Sequence, residues 1–171
     1  MSDAADVIAS LGDEAATVAT AESLTGGRLA AVITDVAGSS KVYAGGVVSY
    51  ATAVKIDVLG VPPEIVDTHG VVSGECARAM AEGVRTLLRT TYGVSTTGVA
   101  GPDTQEGKPV GTVFVAVAGP DETEVVELAL TGDRASIQAA AVDGALSALR
   151  GMIDPENDPR PVVDPEHPGL G

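Results

Sequence analysis

The chain has 171 residues, 44% of them apolar but only 2% aromatic, and its 24 acidic against 10 basic side chains give a formal charge of −14. These totals fit one domain of ordinary size with a core of Ala, Val, Leu and Ile, and they argue against general nucleic-acid binding, which needs Lys and Arg to displace counterions. The single cysteine, Cys76, excludes an intrachain disulfide and, with only His69 and His167 for company, speaks against a metal site built on Cys or His.

In chain order, residues 3–11 (DAADVIASL) place apolar side chains at helical spacing, and 16–20 (ATVAT) read as a short strand. The segment 25–36 (TGGRLAAVITDV) returns to helical spacing through Leu29, Val32 and Ile33, until AGSS at 37–40 breaks it. A glycine-led strand is expected at 44–52, a helix at 52–60 closed by Gly60, then a turn and short helix at 61–70. Ser73 is placed to cap a long helix over 74–91, with Glu75 in its acid-favouring first turn. A strand at 94–100 runs into the polar loop 101–109, and 110–119 and 123–132 alternate as a hairpin across GPDE. A closing helix spans 133–153.

Strands alternating with helices and ending in a hairpin predict a single α/β domain, three-layer α/β/α, whose mixed sheet is covered on both faces. It occupies 1–153. The remainder, 154–171, turns rich in proline and acid and reads as a mobile tail. No stretch reaches the roughly 20 apolar residues of a bilayer-spanning helix. The start, MSDAADVIAS, lacks the basic and apolar regions of a signal peptide, so a cytoplasmic location is expected, with no membrane partner. The acid excess fits either the hydrated carboxylate surface of a halophile or simply an acidic protein.

In sheets of this kind, sites gather where strands hand over to loops. Three handovers, 21–27, 49–55 and 98–109, hold the chemistry-bearing residues. Ser23 stands between a strand and a helix start. It is either a helix N-cap or a nucleophile beside N–H groups able to hold an oxyanion, with Gly26 and Gly27 allowing close approach of a substrate. A phosphate-binding loop of the G-x-x-x-x-G-K-[ST] type is absent. His69, at a helix end, reads as a partner of the helix dipole rather than as a base. Lys55, five residues beyond Tyr50 and among Val54, Ile56, Val58 and Leu59, is either a solvated helix lysine or a desolvated base. Gly98, Gly101, Gly107 and Gly111 with Lys108 either wrap an anionic group or form a turn. Arg134 opens the last helix against its dipole, toward a ligand or a carboxylate.

Taken in order, AESLTGG, AGSS, GGVVSYATAVK, LGV, HGVVS, AMAEG, TGVAGP, KPVGTV and GDR closely resemble the C-terminal domain family of the competence/damage-inducible protein CinA, over roughly residues 5–153. The resemblance implies a nicotinamide-nucleotide amidohydrolase that converts nicotinamide mononucleotide to nicotinate mononucleotide and ammonia. It implies Ser23 as nucleophile, with Tyr50 and Lys55 as its proton-handling partners. It also implies Thr25, Gly26 and Gly27 as oxyanion or substrate contacts, and Gly98, Ala100, Gly101, Lys108 and Arg134 as holders of the nucleotide. It requires no metal or cofactor, makes a small nucleotide the expected partner, and is compatible with a homo-oligomer. Leu24 stands where many relatives have Cys, and DTQEG where many carry Gly-Gly after the AGP. Larger relatives carry a preceding domain, so this chain resembles the stand-alone form.

Overall fold

The computed structural model describes residues 3–160; the rest of the expected tail, 161–171, lies outside the described residues. Five strands form one mixed sheet: β1 (Val18–Glu22), β2 (Tyr43–Val48), β3 (Tyr92–Gly98), β4 (Thr112–Ala118) and β5 (Thr123–Ala129). Their order is β2-β1-β3-β4-β5. β1 runs parallel to both β2 and β3, while β4 is antiparallel to β3 and β5. Helices α1 (Asp3–Asp13), α2 (Arg28–Thr34) and α6 (Arg134–Ile153) cover one face, and α5 (Gly74–Leu88), joined by α4 (Pro63–His69), covers the other. The short α3 (Thr52–Asp57) follows β2. The three-layer α/β/α domain expected from the sequence is thus the one observed.

The two faces are built differently. Toward α1 and α6 the strands present Val18, Val94, Val113, Val115 and Val117. Toward α5 they present Ala19, Ala21, Ala116 and Ala118, so that helix lies close to the sheet. At Gly93 a Cβ would stand 2.2 Å from the Ala81 carbonyl oxygen of α5, which leaves room for glycine alone. Two residues along, the Ser95 hydroxyl donates to the Ala77 carbonyl at 2.6 Å. α1 buries Ala4, Val7, Ile8 and Leu11 at helical spacing, and α5 buries Cys76, Ala77, Met80, Ala81 and Val84. Of the few aromatics, Tyr43 pairs its hydroxyl with Thr20 Oγ1 at 2.7 Å, and the buried Tyr92 donates its hydroxyl to Glu14 at 3.4 Å.

Several boundaries differ from those read in the sequence. β1 ends at Glu22 rather than at residue 20, so Ser23 follows the strand directly. α2 begins at Arg28, because Gly26 and Gly27 take positive φ (56° and 100°) and hold a turn in front of it. α5 stops at Leu88, where Arg89 adopts a left-handed conformation. Beyond α6, the 154–160 stretch folds back: a single 3-10 turn spans Pro155–Asn157, and Arg160 pairs with Asp158 and Glu124.

Candidate functional site

The three parallel strands β2, β1 and β3 deliver their carboxyl ends to one place. Ser23 leaves β1, Ser49 and Tyr50 leave β2, and Val99 to Gly101 leave β3. Between them lies a cavity of about 310 Å³ lined by Ser23, Tyr50, Lys55, Gly98, Ala100, Gly101 and Arg134, together with Leu24, Thr52, Val71, Val72, Thr97, Val99 and residues 102–105.

The Ser23 turn is anchored from several sides. The Ser23 N–H donates to Thr96 O at 2.9 Å, and Gly26 N–H donates to Ser23 O at 3.0 Å. From α6, the Gln138 side-chain amide donates through Nε2 to Leu24 O at 3.0 Å. Ser23 does not cap α2. The N-cap position is Gly27, which has no side-chain cap, and the first-turn N–H groups are instead taken by Glu22. Its buried carboxylate accepts from Leu29 N at 2.8 Å and Ala30 N at 3.1 Å. This frees Ser23 from a capping role. Among the described residues, the N–H groups of Leu24, Thr25 and Gly27 have no hydrogen bond.

Lys55 reaches the same point from α3. It is 1% exposed, the largest fully buried side chain among the described residues. Its Nζ lies 3.0 Å from Ser23 Oγ, 2.6 Å from Ser49 O and 3.4 Å from Tyr50 O. Burial pushes its amine below the ordinary lysine value. The Cys76 thiol is itself raised to about 11 by burial, so near neutral pH it is uncharged. A neutral amine has two hydrogens and one lone pair. The two carbonyls can take the hydrogens, which leaves the lone pair for the Ser23 O–H.

Tyr50 takes a different part. Its backbone carbonyl faces Lys55, but its side chain is 63% exposed and its hydroxyl accepts from Arg134 Nη2 at 3.2 Å. Arg134, first residue of α6, also donates through Nη1 to Gly101 O at 2.6 Å. Asp133, not Arg134, supplies the N-cap, accepting from Ser136 N at 2.9 Å. Thus Ser23 and Lys55 meet side chain to side chain, whereas the Tyr50 phenol belongs with Arg134 at the cavity wall.

The remaining sequence-derived residues divide. Gly98, Ala100 and Gly101 line the cavity. At Gly101, with φ of 94°, a Cβ would come within 2.7 Å of Val110 Cγ1. The Thr25 side chain is fully buried, its hydroxyl paired with Thr96 Oγ1 at 2.7 Å, so it ties the turn to β3 and leaves only its backbone for a ligand. Gly26 and Gly27 shape the turn without lining the cavity. Lys108 is not among the lining residues: its Nζ donates to Val72 O and stands 5.8 Å over the Phe114 ring. His69 lies outside the site, 3.7 Å from Glu75 at the end of α4.

Sequence reasoning passed over Glu22, Thr97 and Glu106. Thr97 Oγ1 donates to Val71 O at 2.7 Å. The Glu106 carboxylate accepts from Val71 N at 3.0 Å and Val72 N at 2.7 Å. Glu22 had a visible signal, a lone acid closing the short strand VATAE; Glu106 had none, because its partners are more than thirty positions away.

Residues 2–153 match the family model described as the CinA C-terminal domain. A CinA-like protein of Frankia casuarinae is 50% identical over 147 residues, covering 86% of this chain and 34% of that protein. A putative competence-damage inducible protein of Bacillus pumilus is 47% identical over 143 residues, covering 84% and 34%. The chain therefore spans about a third of the length of these curated relatives. Among solved structures, a CinA superfamily protein from Klebsiella pneumoniae superposes with a TM-score of 0.86 at 34% identity, over 88% of this chain and 95% of that one. A competence/damage inducible protein from Agrobacterium tumefaciens gives 0.82 at 35% identity, over 87% and 94%.

Proposed function

We infer, for a chain that belongs to the CinA C-terminal domain family, that it is an amidohydrolase acting on the carboxamide of nicotinamide mononucleotide. The observation that carries this reading is the 3.0 Å approach of a buried Lys55 amine to Ser23 Oγ at the edge of a nucleotide-sized cavity.

In the proposed cycle the neutral Lys55 amine accepts the Ser23 proton as Oγ attacks the carboxamide carbon. The unoccupied N–H groups of Leu24 and Thr25 stabilise the oxyanion that forms. As the tetrahedral intermediate collapses, Lys55 returns the proton to the departing nitrogen, ammonia leaves and an ester remains on Ser23. Lys55 then deprotonates a water, which cleaves the ester to the carboxylic acid and restores the serine. Arg134, presented by Tyr50 and the Gly101 carbonyl, has further N–H donors for a phosphate.

Ammonia release from nicotinamide mononucleotide, nicotinamide riboside and free nicotinamide, at low and molar salt, tests this reading. Clear preference for the mononucleotide is expected. Release without that preference makes the protein a general Ser-Lys amidase, and no release from any of them makes it a nucleotide-binding module. Ser23→Ala should abolish turnover and leave nucleotide binding largely intact; undiminished turnover in that variant would refute the mechanism.

A further inference from the structure

One face of α6, over its first two turns, gathers all three strand exits. Arg134 donates to Gly101 O beyond β3 and to the Tyr50 hydroxyl beyond β2. Gln138, one helical turn further and so on the same side of the helix, donates through Nε2 to Leu24 O in the turn beyond β1, at 3.0 Å. Gln138 is buried, as are Leu24 and Thr25, and it is not among the residues that line the cavity. A carbonyl oxygen only accepts, so the amide must present its nitrogen to Leu24.

That contact fixes more than one oxygen. The Leu24 carbonyl and the Thr25 N–H belong to one trans peptide plane, in which they point in opposite directions. With Leu24 O held on Gln138, the Thr25 N–H is turned away from that amide. The far end of the unit is tied to β3, where the Thr25 hydroxyl pairs with Thr96 Oγ1 at 2.7 Å. Backbone partners set the neighbouring planes of the turn: Ser23 N lies on Thr96 O, Ser23 O on Gly26 N, and Thr25 O on Arg28 N. The carbonyl of the Leu24–Thr25 plane is held instead by a side chain 114 positions away. The N–H of that plane, unpaired among the described residues, is one of the two donors assigned to the oxyanion.

We propose that Gln138 is a positioning residue for the acylation of Ser23: by gripping Leu24 O it sets the peptide plane that aims the Thr25 N–H at the developing oxyanion. The role rests on the Ser23 acyl chemistry proposed above. It does not depend on which amide is attacked.

A donor that acts as negative charge builds on the substrate oxygen stabilises the transition state more than the bound substrate. Gln138→Met keeps an unbranched side chain of similar length and removes the N–H. Loss of a whole oxyanion donor costs about 10²- to 10³-fold in kcat, so a donor that is present but no longer aimed should cost about 10-fold or more. KM for nicotinamide mononucleotide should stay within about threefold. Gln138→Asn, whose amide stops one carbon short of Leu24 O, carries the same comparison if the methionine variant fails to fold. p-Nitrophenyl acetate serves as a second substrate that needs no nucleotide subsite. Ser23 Oγ takes its acetyl group, the serine proton passes to Lys55 and p-nitrophenolate leaves; the rate of that step should show the same drop. A folded variant with kcat within about twofold of the wild type, or one in which KM rises while kcat is kept, overturns the proposal. If wild-type protein releases no ammonia from the nucleotide yet is acetylated at Ser23, the substrate assignment falls and the ester decides the role of Gln138. Wild-type protein inert toward both overturns the two together.

Discussion

Replacing Lys55 by Met removes the amine and keeps an unbranched side chain of similar length in its buried channel. General-base assistance contributes about 10²- to 10⁴-fold, so ammonia release from the mononucleotide should fall by at least about 100-fold. Stability should behave differently. The Ser49 carbonyl, held by Lys55 Nζ at 2.6 Å, loses that partner, a loss of about 1–3 kcal/mol for a buried acceptor. Against this, the side chain no longer drags an ionisable group out of water, and apolar replacement of buried ionic groups is commonly neutral or favourable by about 1–4 kcal/mol. The net change should lie within about 2 kcal/mol of zero. Its pH dependence is diagnostic. Burial lowers the Lys55 value from 10.5 in the folded state, so between the lowered value and the ordinary one the unfolded chain binds a proton that the native protein does not. Wild-type stability therefore gains from this group as pH rises through that window, and its unfavourable contribution is full below it. The Lys55→Met variant should lack that rise. Denaturant unfolding of both proteins across a neutral-to-alkaline series, with ammonia release measured in parallel, checks both halves. Retention of more than about a tenth of the activity, or an alkaline stability profile that superposes on the wild type, would refute the buried-base argument.

Tyr50→Phe separates two roles for the phenol. With its hydroxyl on Arg134, the variant should raise KM by about 3- to 10-fold and leave kcat within about threefold, whereas a kcat loss of about 100-fold would identify the phenol as a proton carrier. Glu22→Gln leaves an amide where a carboxylate serves two buried N–H groups; urea unfolding should show a loss of about 1–3 kcal/mol, and a change under about 0.5 kcal/mol would mean that α2 holds its start without it.

The architecture was readable because the alternation of helices and strands is a local property, and each long element kept the spacing of the face it buries. The errors lie where long-range partners decide. Ser23 could be taken for a helix cap because the carboxylate that does the capping sits one residue earlier and points along β1 to Leu29 and Ala30. The apolar helical neighbours of Lys55 suggest a desolvating setting, yet Val58 is 45% exposed. What holds Lys55 out of water is the place its amine takes among Ser23 Oγ and the Ser49 and Tyr50 carbonyls, which spacing within one helix does not encode. Lys108 carries the right charge for a phosphate, but a carbonyl thirty-six positions away claims it. Such pairings arise where the loop tip meets the segment before α5, not from any local pattern.

The scarcity of aromatic side chains has a practical consequence. The chain has no tryptophan and three tyrosines. Tyr43 and Tyr92 are engaged with Thr20 and Glu14 away from the cavity, while Tyr50 stands at its wall against Arg134. Intrinsic fluorescence excited in the tyrosine band thus contains one emitter that an incoming ligand must meet and two that it need not, so the native protein reports occupancy of its own cavity without a dye.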